Sequence, residues 1–481
     1  MKKKRRHNIL YIILLLALPA GMIFSSCNKE RYVTAPGSTP AFSLDTLYFD
    51  TIFTTIGSTT RSFTVYNTYD RILKLEEVRL AGGDGSPYRI NVDGLKGPVV
   101  RDVEILPHDS IFIFVEVTID PLGNNMPLLV HDSVLFVSNG SVRDIDLVAW
   151  GQDVHLINGE ILGTQTWPAD KPYLIVHSMM VDTNAVLTIE KGVLVYSHFG
   201  STIYVAGRLL AGGTTEEPVI FCGDRLEQMY EDIPGQWSGI YFLNGSSGNR
   251  MDHVEIRNGI YGIHLGNFYA DDPPPDLYLS NAVIMHMNWA GISSVGAVIE
   301  AENCLIADCG FFGLTLTTGG DYRFIHCTVA NYWGWSNRST PSVVVSDYYN
   351  LNDTVIFRGE LVRADFFNTI IDGDKEDEFV VSSWEAGDTL NYLLDHVLLR
   401  KKLDGEAPDT AYYKNVWFNQ DPGFVSVWDY DFHPDSLAFI CDRGAMAYGL
   451  MVPFDADGHD RLADGKPDLG AYEWIDTSAV R

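Results

Sequence analysis

Chemistry in this chain of 481 residues would have to come from carboxylates and aromatic rings. Two carboxyls roughly 5–9.5 Å apart can hydrolyse a glycosidic bond, one as acid and one as base or nucleophile. Asp271 and Asp272 are candidates, in the loop Ala270-Asp271-Asp272-Pro273-Pro274-Pro275-Asp276, and so are Asp308 and Asp321. Aromatic faces stack on the apolar faces of sugar rings, while nearby Asn, Asp and Arg bond the hydroxyls. The glycan-binding candidates are Tyr332, Trp333, Trp335, Tyr348, Tyr349 and Trp384, all in long insertions. Trp237, Trp289 and Trp428 read as structural. The run Asp372 to Glu378 reads as a solvated acidic face. Asp455-x-Asp457-Gly458 is the start of a calcium-type loop, but Pro467 stands where its closing acid belongs. The alternative is a structural turn in which Arg461 pairs with Asp468 or Glu473, so no cofactor is expected. No CxxC or His/Cys zinc spacing occurs.

The elements that must position these side chains repeat. A glycine-led strand recurs as Gly239-Ile240-Tyr241-Phe242, Gly262-Ile263-His264-Leu265, Gly291-Ile292-Ser293-Ser294 and Gly313-Leu314-Thr315-Leu316, at steps of 23, 29 and 22 residues. A second series runs out of phase: Asp252-His253-Val254, Asn281-Ala282-Val283, Asn303-Cys304-Leu305, His326-Cys327-Thr328, Asn368-Thr369-Ile370 and Asp395-His396-Val397. Repeats of roughly 20–50 residues built from short strands make a β-solenoid. An Asn at a sharp corner tolerates a left-handed backbone, and stacked Asn side chains can form a ladder. The glycines are expected to open strands after a bend for a similar reason. His253, His326 and His396 read as ladder members. The pattern resembles the right-handed parallel β-helix of pectate-lyase-like proteins, over roughly Tyr173 to Leu399. Cys304 and Cys327 sit at equivalent corners and either meet or remain two buried thiols. The tail, ending in Gly470-Ala471-Tyr472-Glu473, resembles the C-terminal segment of bacterial envelope β-helix proteins. That resemblance implies that it closes the open end of the coil.

Upstream the period is two. Ile111, Ile113, Val115, Val117 and Ile119 alternate with Phe112, Phe114, Glu116 and Thr118. Several such runs read as an antiparallel sandwich, and the segment resembles the immunoglobulin-like domains of bacterial envelope lipoproteins. Ahead of it, a basic head (Lys2 to Arg6) precedes an apolar run, Ile9 to Phe24, shorter than the ~20 residues that span a bilayer. Phe24-Ser25-Ser26-Cys27 resembles a bacterial lipobox, which implies lipidation of Cys27.

The fold expected is therefore all-β. The order is a lipoprotein signal (1–26), a tether (27–40), an immunoglobulin-like β-sandwich (41–153), a right-handed parallel β-helix (154–450) and a capping segment (451–481). The expected location is the bacterial cell envelope, with the outer membrane reached through the lipid anchor. Net charge is −29, and −34 once residues 1–26 with their five basic side chains are removed. That balance excludes nucleic-acid phosphates as partners. Between Val193 and Asp374 there is no lysine, which disfavours cleavage of acidic polysaccharides. The leading function is non-catalytic binding of a glycan or envelope partner on the coil flank. The rivals are a polysaccharide-degrading enzyme using loop carboxylates and a structural or adhesive surface protein. Replacing Cys27 with Ser should move the protein from the membrane to the soluble fraction on cell fractionation; continued membrane association would contradict the lipid anchor.

Overall fold

The computed structural model describes residues 32–54, 60–119, 128–352, 354–385, 390–403, 405 and 408–475. The signal, Cys27 and the first part of the tether lie outside the described residues. Among the described residues no helix is long and apolar enough to cross a membrane. The chain is all-β and divides into two compact units, at Asp153/Val154.

In the first unit two five-stranded sheets enclose one core. Alternation sets which face is buried: Ile111, Ile113, Val115 and Val117 point inward, while Phe112 and Phe114 stay exposed. Phe63 and Val65 of one sheet meet Leu73, Leu75, Phe136 and Leu147 of the other. Pairing is not wholly antiparallel as expected. The strand Thr46–Phe53 runs parallel to Ser141–Gln152, which itself pairs antiparallel with Leu128–Ser138.

The second unit is built on a 25-stranded parallel sheet. Strands pair with the strand three places further along the chain, as in Thr202–Val205 with Gly239–Phe242 and Arg208–Gly212 with Asn249–Asp252. Such connectivity fits a parallel β-helix with three strand columns. The apolar partner of each alternation faces inward and stacks on its counterpart one coil on. Ile203, Ile240, Ile263, Ile292, Leu314 and Val343 form one such inward row. Among the described residues, the last strand of this sheet is Tyr413–Phe418.

One corner is left-handed coil after coil. His253, Asn281, Asn303, His326, Asn368, His396 and Asn415 all have φ between 46° and 55°. Asn and His tolerate that region better than bulky residues do. Their side chains also bond along the stack: Asn303 Nδ2 donates to Asn281 Oδ1 (2.9 Å), and Asn368 Nδ2 lies 2.9 Å from His326 Nε2. The repeating glycines act differently from expectation. Gly239 is left-handed, with φ 125°, but Gly262, Gly291 and Gly313 are not. A Cβ on Gly262 would collide with Ile284 and the Gly291 carbonyl, and one on Gly291 with Ile306 and the Gly313 carbonyl. These glycines allow one strand column to lie against the next. Cys304 and Cys327 are buried free thiols that also interact with each other.

The described part of the tail covers a flank. It lies along the flank of the column containing Val283–Met287, Leu305–Cys309 and Thr328–Asn331. Phe432, Ala471 and Tyr472 pack on Met285, Leu305, Ala307 and Ala330. Further on, Ala438, Ile440 and Leu469 pack on Ile370 and Leu398. Apolar side chains on the outside of that column require such a cover. The cover is pinned by Arg461, which is fully buried. Its guanidinium donates to Glu473 Oε1 (2.5 Å), to the ladder residue Asn303 at Oδ1 (2.8 Å) and to the Ala471 carbonyl (3.0 Å). Glu473 is thus the partner, and Asp468 instead accepts from the Asp442 and Trp474 amides. Arg461→Ala should lower the unfolding free energy by about 3–5 kcal/mol, because it leaves a buried carboxylate without its cation. Urea denaturation reads the change, and a loss below about 1 kcal/mol would contradict the pin.

Candidate functional site

The three columns have different outer faces. One is covered by the tail, as above. On a second, the outward residues in register are Tyr204, Tyr241, His264, Ser293, Thr315, Val344 and Val380. Strand spacing of about 4.8 Å makes this row roughly 29 Å long. It carries no lysine, arginine, aspartate or glutamate.

Rings gather around this row. Tyr204 and Tyr241 lie 5.7 Å apart by ring centroid, Tyr241 and Tyr261 5.8 Å, and Tyr241 and His264 4.9 Å. Tyr261 continues to Trp289 (6.3 Å), and Trp289 to Phe311 (4.4 Å). Two insertions add a second group. The antiparallel pair Tyr348–Asn352 and Val355–Arg358 sets Tyr349 and Phe357 against Phe268, at 4.6 and 4.8 Å, and Phe357 also meets Tyr269. The groups adjoin: burial pushes the Tyr261 phenol up, and the Tyr349 phenol adds to the shift. His264 Nδ1 lies 3.2 Å from Ser293 Oγ, and burial holds this imidazole below its ordinary range, in the neutral form. The surface stays partly open, with Tyr349 38% and Trp289 38% exposed.

The third column is charged and paired within itself. The outward row includes Arg250, Tyr278, Glu300, Arg323 and Asp365. Arg250 stacks over Tyr278 (4.3 Å), Arg323 meets Glu300 (3.1 Å), and Arg363 donates to Asp321 (2.7 Å). Burial pushes the Asp365 carboxyl up, with nearby arginines opposing and Asp321 reinforcing. Of the four carboxylate candidates, Asp321 stands in this ion-paired field. Asp308 is buried at another corner, 2.7 Å from His286 Nδ1, and Asp271 and Asp272 are exposed on their loop.

The aromatic candidates scatter. Trp333 is buried, its indole N–H bonded to Ser336, and Tyr332 is half-buried, donating to Asp372. Trp335, Tyr349 and Trp384 are exposed, and Tyr348 packs edge-on against Trp384. Of the six, Tyr349 joins the ring surface described above. The structural reading fits Trp237, which is fully buried with its N–H on the Arg257 carbonyl (2.8 Å), but Trp289 and Trp428 are exposed. The acidic run is solvated in its middle, at Asp374 and Glu376, as expected, but its ends Asp372 and Glu378 are fully buried, because Arg400 and Arg338 neutralise them there.

Asp455, Asp457 and His459 bring potential ligand atoms within 4.8 Å of one another. Yet Asp455 Oδ1 accepts the Asp457 and His459 amides and Oδ2 the Glu473 amide. Asp457 bonds His433 Nε2 (2.9 Å), whose Nδ1 meets Asp431 (2.6 Å). This donor set serves the turn through its own amides and His433.

Comparison with known proteins adds little. No protein-family model matches the chain, and no curated protein does. Among solved structures, a family 123 glycoside hydrolase from Clostridium perfringens is similar over 24% of this chain and 26% of its own, at 8% identity and a TM-score of 0.17. A likeness that low carries no argument.

The bond to Asp457 above all, and that to Asp431, hold the His433 imidazolium up to about 9 from an ordinary 6.5. A raised histidine adds stability that is complete below its unfolded pKa and is lost as pH rises through the folded one. Thermal midpoints of the wild type should therefore fall relative to His433→Asn between about pH 6.5 and pH 9. A difference that stays flat over that window would contradict the charged bridge.

Proposed function

We propose that this is a lipid-anchored cell-envelope protein that binds a glycan on the open aromatic face of its coil. The fold reading that goes with it is a right-handed parallel β-helix carried on an immunoglobulin-like sandwich. The observation that carries the function is the continuous set of ring contacts from Tyr204 through Tyr241 and Tyr261 to Trp289 and Phe311, with the Phe268, Tyr349 and Phe357 group as a second cluster nearby. Monomeric proteins rarely leave such a surface without a partner. Flat rings beside hydroxyl and imidazole groups suit sugars, whose faces are apolar and whose edges are polar. The binding locus expected between residues 331 and 384 shifts to this face, and only the part around Tyr349 is kept.

Hydrolysis is the second reading. What favours it is Asp365, a half-buried carboxyl in register with Arg323 and two residues along the strand from Arg363, which pairs with Asp321. The two readings separate in one assay. Trp289→Ala and Tyr349→Ala should each weaken retention on polysaccharide affinity gels about tenfold, the scale of a lost aromatic anchor. Their thermal midpoints should stay near that of the wild type. Unchanged retention would contradict the binding face, and new reducing ends abolished by Asp365→Asn would favour the enzyme.

A further inference from the structure

We infer that the aromatic face selects an uncharged polysaccharide and rejects uronate polymers, an inference that rests on the glycan reading above. A uronate chain brings one carboxylate per sugar. Each carboxylate placed against these rings would lose water and find no cation to replace it. The outward row offers hydroxyl, imidazole and alkyl groups only. His264 does not supply a charge near neutral pH, since burial keeps it unprotonated. Arginines of the flanking elements are engaged by carboxylates. Arg358, at the foot of the hairpin, pairs with Glu385 at 2.9 Å. Arg323 and Arg363 belong to the neighbouring column and are matched there by Glu300 and Asp321. The field of the whole chain acts in the same direction, at a net charge of −29.

What the face does offer suits neutral sugars. His264 and Thr315, partly exposed, place polar groups along the row at strand spacing, with Ser293 between them bonded to His264 and with Tyr241 and Tyr261 beside the imidazole. Neutral hydroxyls can exchange water for these groups at little cost. The selectivity is therefore electrostatic and should be transferable by a single charge. Thr315 is the position to use, since its side chain lies in the outward row and is not fully buried.

The test compares purified protein, residues 28–481 with its anchor cysteine omitted, on affinity gels. The gels hold soluble β-glucan, mannan, xylan or galactan, or else polygalacturonate. The expected result is retention by at least one neutral polymer at an affinity ten times or more above that for polygalacturonate. Thr315→Lys should then raise polygalacturonate binding several-fold at low salt, and added salt should remove the gain. Equal or tighter binding of polygalacturonate by the wild type overturns the inference and leaves the glycan reading standing. No gain from Thr315→Lys also overturns it. Failure of every polymer, neutral and acidic, removes the glycan reading itself and the inference with it.

Discussion

The coil depends on one corner being turned the same way each time. From His253 to Asn415, seven residues hold that corner in the left-handed region, with nearly equal φ. A turn placed one residue early or late would send the inward row out and the outward row in. Because the corners coincide, Ile240 lies over Ile263 and Tyr241 over His264. The core and the outer rows are two readings of the same register.

That register gives three outer faces with three solutions to exposure. The face outside Met285, Leu305 and Ala330 is apolar and is covered by the chain's own tail. The face outside Arg250, Glu300 and Arg323 is polar and pairs its charges within the row. The face outside Tyr241, His264 and Ser293 carries no charged side chain, and a cluster of rings gathers on it, open at Trp289 and Tyr349. Insertions reinforce the contrast. The loop bearing Phe268 and the hairpin bearing Tyr349 leave the coil at residues far apart in sequence and meet beside this same face. The loop at Trp333 is locked instead, because Arg338 beside it bonds Glu378 and the Asn331 carbonyl.

Local pattern made much of this readable. Period-two alternation marks the strands of the first unit, and Gly239, Gly262, Gly291 and Gly313 mark successive coils. Asn281 and Asn303 could be assigned to corners because few residues suit that backbone. Contacts between distant residues were not readable. Arg461 meets Asn303 across 158 positions, so the tail's course along the flank leaves no local trace. Glu378 looks solvated in sequence because Arg338, which neutralises it, is 40 positions away. The aromatic face has its own signal in the sequence. The second residue after each leading glycine points outward, and Tyr241, His264, Ser293 and Thr315 are those residues. Trp289 was harder, since one indole at a corner reads the same whether it packs inward or lies open.

The binding face is defined by where a sugar sits. A crystal structure of the protein soaked with an oligosaccharide of whichever neutral polymer it retains would show this directly. The prediction is a sugar ring stacked against Trp289 or Tyr349, with hydroxyls within hydrogen-bond reach of His264 or Ser293. A sugar ordered instead on the ion-paired face around Glu300 and Asp321, or on the first unit, would contradict the account.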